Sequence, residues 1–315
     1  MNKSLNYKNI NPIPALTWSW LRLNRAELSV ETGEESGKIN LSAIPEGVTC
    51  LENGSSVMQT LPQMKSGSGE DASALIKNFS VTPLAIVAGK GVESSSPLVM
   101  NFNLSDGKSH VSSQCIVAEE DSKITVIMNY TAAKNAAGFQ AVQTKLWAKK
   151  NAQIHLIKVQ LLGQGFTQLD DTAALAEDGA AIRVTQLELG GSKIYAGVGT
   201  CLAGRKSNFK SDTAYFCRNN QLFDMNYVSW HQGRESDTKM TVKGVVDDDA
   251  VKIYRGTIDF QRGCAGATGD EQEETLLLSP EAVNKSIPMM LCDEEDVSGT
   301  HGSSIGKLGT DELFY

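Results

Sequence analysis

From Thr82 onward, apolar residues recur at every second position. Leu98, Met100, Phe102 and Leu104 alternate with polar neighbours, as do Ile124, Val126 and Met128. Ile182 and Val184, Met240 and Val242, Val251 and Ile253, and Ile258 and Phe260 follow the same rule. A period of two is the pattern of a strand with one buried face. The phase slips between runs: in Ile154, Leu156, Ile157, Val159 and Leu161 the apolar parity switches after Leu156. A one-residue slip sends every side chain to the other face unless the chain turns a corner. The pattern therefore predicts short strands joined by corners.

The corners have a period of their own. Many strands open with a turn residue, two further residues and then an aliphatic. One series is Asp121-Ser-Lys-Ile124, Asn151-Ala-Gln-Ile154 and Gly179-Ala-Ala-Ile182, with steps of 30 and 28 residues. A second is Gly191-Ser-Lys-Ile194, Asn219-Asn-Gln-Leu222 and Asp248-Asp-Ala-Val251, with steps of 28 and 29. Two interleaved ladders of one period predict an all-β, two-sheeted parallel solenoid whose coils rise ~4.8 Å each. On this reading Ile124, Ile154 and Ile182 lie above one another, as do Ile194, Leu222 and Val251. A β-sandwich is the alternative, and it predicts turns every ~8–12 residues without the long period.

Upstream the pattern differs. Pro12 and Pro14 break any early helix, so the first thirty residues read as an irregular arm carrying Trp18 and Trp20. Residues 31–69 are polar with Gly and Ser clusters and read as a linker. Ala72, Leu75, Ile76 and Phe79 fall at helical spacing and predict a helix over 70–80. The division is an N-terminal arm, linker and helix (1–81), a solenoid core (82–285) and a C-terminal segment (286–315).

Composition narrows the function classes. Over 315 residues, 29 Lys and Arg stand against 37 Asp and Glu, a net charge of −8. That disfavours a phosphate-binding or anionic-membrane surface. No apolar run approaches the ~18 residues of a spanning helix, and residues 1–20 hold no apolar signal core, so the expected location is the cytosol. Glycine, at 28, far outnumbers proline, at 8, which suits turns built on Gly, Asn and Asp. The six cysteines, Cys50, Cys115, Cys201, Cys217, Cys264 and Cys292, show no CxxC spacing. This argues against a local zinc or ferredoxin-type loop and for mostly buried free thiols.

Enzyme motifs are missing. Gly302-Ser-Ser-Ile-Gly306-Lys307 is one residue short of a phosphate loop and has Leu308 where Ser or Thr belongs. Gly197-Val-Gly199 lacks a third glycine, and there is no His-Glu-x-x-His. Of the four histidines, His155 reads as an outward strand residue, and His110 and His231 as turn residues. His301 stands in the small-residue run Ser298-Gly-Thr-His301-Gly-Ser-Ser-Ile-Gly306, where a neutral imidazole is free to ligate iron or zinc. The acidic runs Asp247–Asp249, Asp270–Glu274 and Asp293–Asp296 read as solvated turns.

The C-terminal third is more specific. Lys243-Gly-Val-Val246, Ala250-Val-Lys-Ile-Tyr254-Arg-Gly256-Thr-Ile258, Leu276-Leu-Leu-Ser279, Ala282, Pro288, Asp296-Val297, His301-Gly302, Ile305-Gly306 and Leu313-Phe-Tyr315 resemble the SufB/SufD family of the SUF iron–sulfur cluster assembly system. Ala72 through Tyr130 fits as well, and Pro14–Leu21 resembles short SufD-type members. The short length and the histidine motif point to SufD rather than a SufB-like paralogue.

The resemblance implies a right-handed parallel β-helix and a non-catalytic, cytoplasmic scaffold. It also implies pairing with SufB, docking of the ATPase SufC, and a transient Fe–S cluster near the SufB interface with His301 as a ligand. No tightly bound cofactor is expected, and the isolated chain is expected to form a homodimer that mimics the SufB–SufD pair. Two departures stand out. Relatives often carry a cysteine two residues before the histidine, where this chain has Gly299. The family also continues beyond Leu-Phe-Tyr into the helical region where SufC docks. A polysaccharide-cleaving β-helix enzyme, which needs paired carboxylates on an exposed face, and a purely structural solenoid are the readings from other classes.

Overall fold

Two parallel ladders, wound alternately by one chain, make up most of the molecule. The computed structural model describes residues 3–35 and 39–307. The first ladder stacks Leu84–Ala88, Lys108–Ala118, Ala137–Ala148, Gly165–Ala176, Lys193–Leu202, Leu222–His231, Val251–Phe260 and Val283–Cys292. The second stacks Leu98–Leu104, Lys123–Ala132, Gln153–Leu161, Ala181–Glu188, Asn208–Cys217, Asp237–Val246, Ala267–Leu277 and Val297–Lys307. The result is a parallel β-solenoid of about eight coils with about 29 residues per turn. Both ladders run past residue 285, and strands 283–292 and 297–307 form the last described coil.

The corners explain the period. Asp121, Asn151, Gly179, Lys206, Glu235 and Gly266 all take positive φ. Each stands three residues before one column of the second sheet: Ile124, Ile154, Ile182, Phe209, Thr238 and Gly269. A left-handed residue reverses the chain there, and Gly, Asn and Asp take that conformation at least cost. The column Ile124–Ile154–Ile182 stacks as the spacing predicts.

The second trio does not. Ile194 pairs with Phe223, while Leu222 and Val251 pair with each other above Lys193. Strand Asn208–Cys217 runs two residues past Tyr215, the column partner of Glu188 with which strand Ala181–Glu188 ends, while the corners that follow are equally long, so the extra strand length shifts the register. Leu222 and Val251 are only half-buried, as is Ile253, and the inward side chains of the upper strand are Lys252 and Tyr254.

The apparent phase switch after Leu156 is not a corner either. Strand Gln153–Leu161 runs through unbroken, turning Lys158 and Gln160 inward and leaving Leu161 exposed. Lys158 tolerates the interior because its ammonium donates to Asp170 Oδ1 at 2.5 Å and Thr172 Oγ1 at 2.7 Å. Gln160 accepts from Gly190 N at 2.8 Å and donates to Gly190 O at 2.9 Å, which holds the corner above.

The N-terminal region is more ordered than its composition suggests. Lys3–Ile10 and Ala26–Thr32 form an antiparallel hairpin in place of an irregular arm. Within the 31–69 stretch, Ile39–Ser42 pairs antiparallel with Leu98–Leu104 and Val48–Leu51 with Leu84–Ala88. These short strands close the lower end of the solenoid with Ile39, Leu41, Val48 and Cys50 packed on its core. They escape a composition reading because each holds only two core contacts among polar residues. A helix over Gly69–Lys77 buries Ala72, Leu75 and Ile76. Together with Ile10 and Leu28 of the hairpin it covers Phe139, Ala141, Leu169 and Tyr195 on the outer face of the first sheet. No helix of the described residues is long and apolar enough to cross a membrane.

Candidate functional site

Strand alternation carries one set of side chains into the lumen on every coil. His301 belongs to that set. Its column runs Leu98, Val126, Leu156, Val184, Ser211, Met240, Glu271 and His301. Every member below it is buried, and His301, in the last described coil, is exposed. It therefore stands in a strand at the upper end of the described solenoid, not in a loop.

Beneath it lies a polar floor. Glu271 and Glu273 are buried on the inward parity, so Asp270–Glu274 is strand and not a solvated turn, whereas the other two acidic runs do occupy corners. Gly256 leaves room for the Glu271 carboxylate: a Cβ there would meet Glu271 Oε1 at 1.8 Å. Burial pushes the Glu271 carboxyl up to about 7. Glu273 is contacted by Lys252 and Ser286 and accepts from Ser303 Oγ at 3.2 Å. Lys252 also donates to Asn284 Oδ1 at 2.8 Å. Ser286 and Ser303 come from the two strands of the last coil, so their shared carboxylate ties the two sides of the open end together.

Cys292 occupies the lumen column above Phe260, at the corner of the same coil, and is exposed. Its Sγ donates to Glu294 O at 3.1 Å. Cys115, Cys217 and Cys264 are buried and all six thiols are free. At Gly299 a Cβ would meet Met290 Sδ at 2.4 Å, so a methionine thioether fills the space that a side chain there would take. Among the described residues, no three His, Cys, Asp or Glu side chains gather as a metal site.

The other histidines are elsewhere. His155 is half-buried on the outer face with Nε2 3.0 Å from Thr185 Oγ1, as its parity predicts. His110 and His231 are not turn residues: both are buried in strands, His110 edge-on to Phe102 and His231 beside Phe260. The polar floor of Lys252, Glu271 and Glu273 escapes a motif search because none of the three belongs to a known pattern. Counting parity inward from Ala267 would have found both glutamates.

The family model described as SUF system FeS cluster assembly, SufBD core domain, matches residues 102–315. Iron-sulfur cluster assembly protein SufD of Bacillus subtilis (strain 168) is 25% identical over 216 residues, covering 64% of this chain and 46% of the relative. SufD of Escherichia coli (strain K12) is 23% identical over 199 residues, 62% of this chain and 46% of the relative. The chloroplastic SufBD family protein ABCI8 of Arabidopsis thaliana is 24% identical over 209 residues, 64% of this chain and 38% of the relative. The matched region thus spans less than half the length of each of these relatives.

Proposed function

The chain belongs to the SufBD family of the SUF iron–sulfur cluster assembly system, and from that premise we propose that it is a non-catalytic scaffold subunit. In this reading it pairs through the open end of its solenoid with a SufB-type chain, works with the ATPase SufC in the cytoplasm, and lends His301 as a transient ligand to iron or a nascent cluster.

The observation that carries the reading is the place of His301: on a lumen column, exposed, over a buried carboxylate, in the last described coil. The outer edges of Val283–Cys292 and Val297–Lys307 have no partner strand among the described residues. Such edges present free backbone N–H and C=O groups to another chain. A single imidazole fills one coordination position, so thiolate and carboxylate ligands must come from the partner. The cluster is cargo, passed on and not retained.

The test is His301→Ala in the full-length gene. Thermal unfolding and co-purification with the SufB-type chain are expected to be unchanged, while cluster loading of client proteins in cells falls severalfold. Unchanged loading would make His301 an ordinary end-coil residue and leave this chain a purely architectural role.

A further inference from the structure

The N-terminal hairpin climbs the outer face of the first sheet, one coil at a time. Tyr195 Oη donates to Glu27 O at 3.0 Å. One coil up, Asp224 Oδ1 accepts from Asn11 Nδ2 at 2.7 Å. One coil further, Arg255 Nε donates to Leu23 O at 2.6 Å. Tyr195, Asp224 and Arg255 belong to successive strands of the ladder, so the hairpin tip, residues 14–22, is carried towards the last coil and the open end. The residue above Arg255 is Ile287, in the final described strand of that sheet.

That tip is apolar and bare. Leu16, Trp18 and Trp20 are 80%, 72% and 71% exposed, and the two indoles stack at 6.1 Å. The tip is also braced: Asn24 Oδ1 accepts from Thr17 N at 2.8 Å and from Thr17 Oγ1 at 2.7 Å, and Asn24 Nδ2 donates to Thr17 O at 3.0 Å. Rigid, exposed tryptophans with Arg22 beside them have the chemistry of an interface hot spot, because little conformational entropy remains to be lost on binding. None of the three belongs to the described hydrophobic core.

We propose that Leu16, Trp18 and Trp20 form a clamp that grips the outer face of the chain pairing with the open end. The occupant is a second β-solenoid whose strand adds to the edge of Val283–Cys292 and presents aliphatic side chains in the columns above Ile287 and Met289. The edge itself supplies backbone pairing of little selectivity, and the clamp adds area and orientation that only a continuing sheet can meet. This inference rests on the pairing reading above but concerns different residues.

The experiment compares wild type with the Trp18→Ala/Trp20→Ala variant, each titrated with the SufB-type chain of the same organism. Both are expected to unfold at the same temperature, since the two indoles are largely exposed and lie outside the described core. Wild type is expected to bind with a blue shift of tryptophan emission, and the variant to bind at least tenfold more weakly without that shift. Equal affinity of the two would overturn the clamp while leaving the pairing intact. Absence of binding by wild type would remove the pairing and the clamp together. Blue, poorly quenched emission in the wild-type minus variant difference spectrum, which leaves out the buried Trp230 and the half-buried Trp147, would show the tip covered by its own chain, which also defeats the proposal. So would a shift seen with anionic vesicles and not with the partner.

Discussion

His231 is fully buried, with Nδ1 2.8 Å from Ser236 Oγ, Nε2 without a hydrogen-bond partner and its ring against Phe260. Burial pulls its pKa down from 6.5 to about 4, because the imidazolium would lose its hydration. A histidine lowered in the folded state holds fewer protons than in the unfolded chain between those two values. Its contribution is therefore present above about 6.5 and lost as pH falls towards 4. Glu188 acts in the opposite sense: burial, reinforced by Asp170, raises its carboxyl to about 8, so its contribution is lost as pH rises towards 8. Urea unfolding of wild type and His231→Gln at pH 7.5 and pH 4.5 separates the two. The variant is expected to be less stable at pH 7.5 and to close roughly 1–3 kcal/mol of that gap at pH 4.5. An identical pH dependence in both proteins would mean that His231 takes up its proton over the same pH range in the fold as in the unfolded chain.

At the level of elements, the hairpin is held by a buried ion pair and not by apolar contact alone. Arg255 Nη1 donates to Asp224 Oδ1 at 2.6 Å and Nη2 to Oδ2 at 3.1 Å, with both side chains about 1% exposed. Removing one partner leaves the other charge buried without compensation, which costs about 3–5 kcal/mol. Arg255→Ala is expected to lose that much in urea unfolding and to expose the hairpin to limited proteolysis, while Arg255→Met/Asp224→Leu recovers most of the loss. A loss under ~1 kcal/mol in the single variant would show that the apolar cluster around Leu28 and Ile76 suffices to dock the hairpin.

For the molecule as a whole, the two ends of the solenoid differ. The lower end is closed by two antiparallel strands, and the upper end presents edges that no described strand covers. At micromolar concentration and above, the isolated chain is expected to dimerise through that upper end, as light scattering would report. With a net charge of −8 the copies repel, so the dimer fraction is expected to rise with salt as that repulsion is screened. A chain that stays monomeric at all salt concentrations would rule out self-pairing and leave pairing with a different partner untouched.

The coil length was legible in the chain because it is written locally: Asp121, Asn151 and Gly179 reverse the backbone by a conformation that depends on little beyond the residue itself. Alternation in strands such as Leu98–Leu104 was legible for the same reason. His301 was legible as a candidate from its small-residue setting and the family resemblance, but its place on the lumen column was not. Register is a relation between coils some thirty residues apart, and a strand longer than its neighbour below, as Asn208–Cys217 is, moves it without marking the next strand. Ile194 therefore meets Phe223, and Lys252 takes the inward place that Val251 was expected to hold. Polar residues defeat a hydrophobic pattern whenever the fold supplies their partners: Lys158 is acceptable inside only because Asp170 and Thr172 stand across the lumen. The hairpin, too, is defined by distant strands, since nothing near Asn11 or Leu23 in the chain announces Asp224 and Arg255. Backbone preference at a turn acts within a few residues, whereas desolvation of a charge is balanced only by groups that the completed coils bring together.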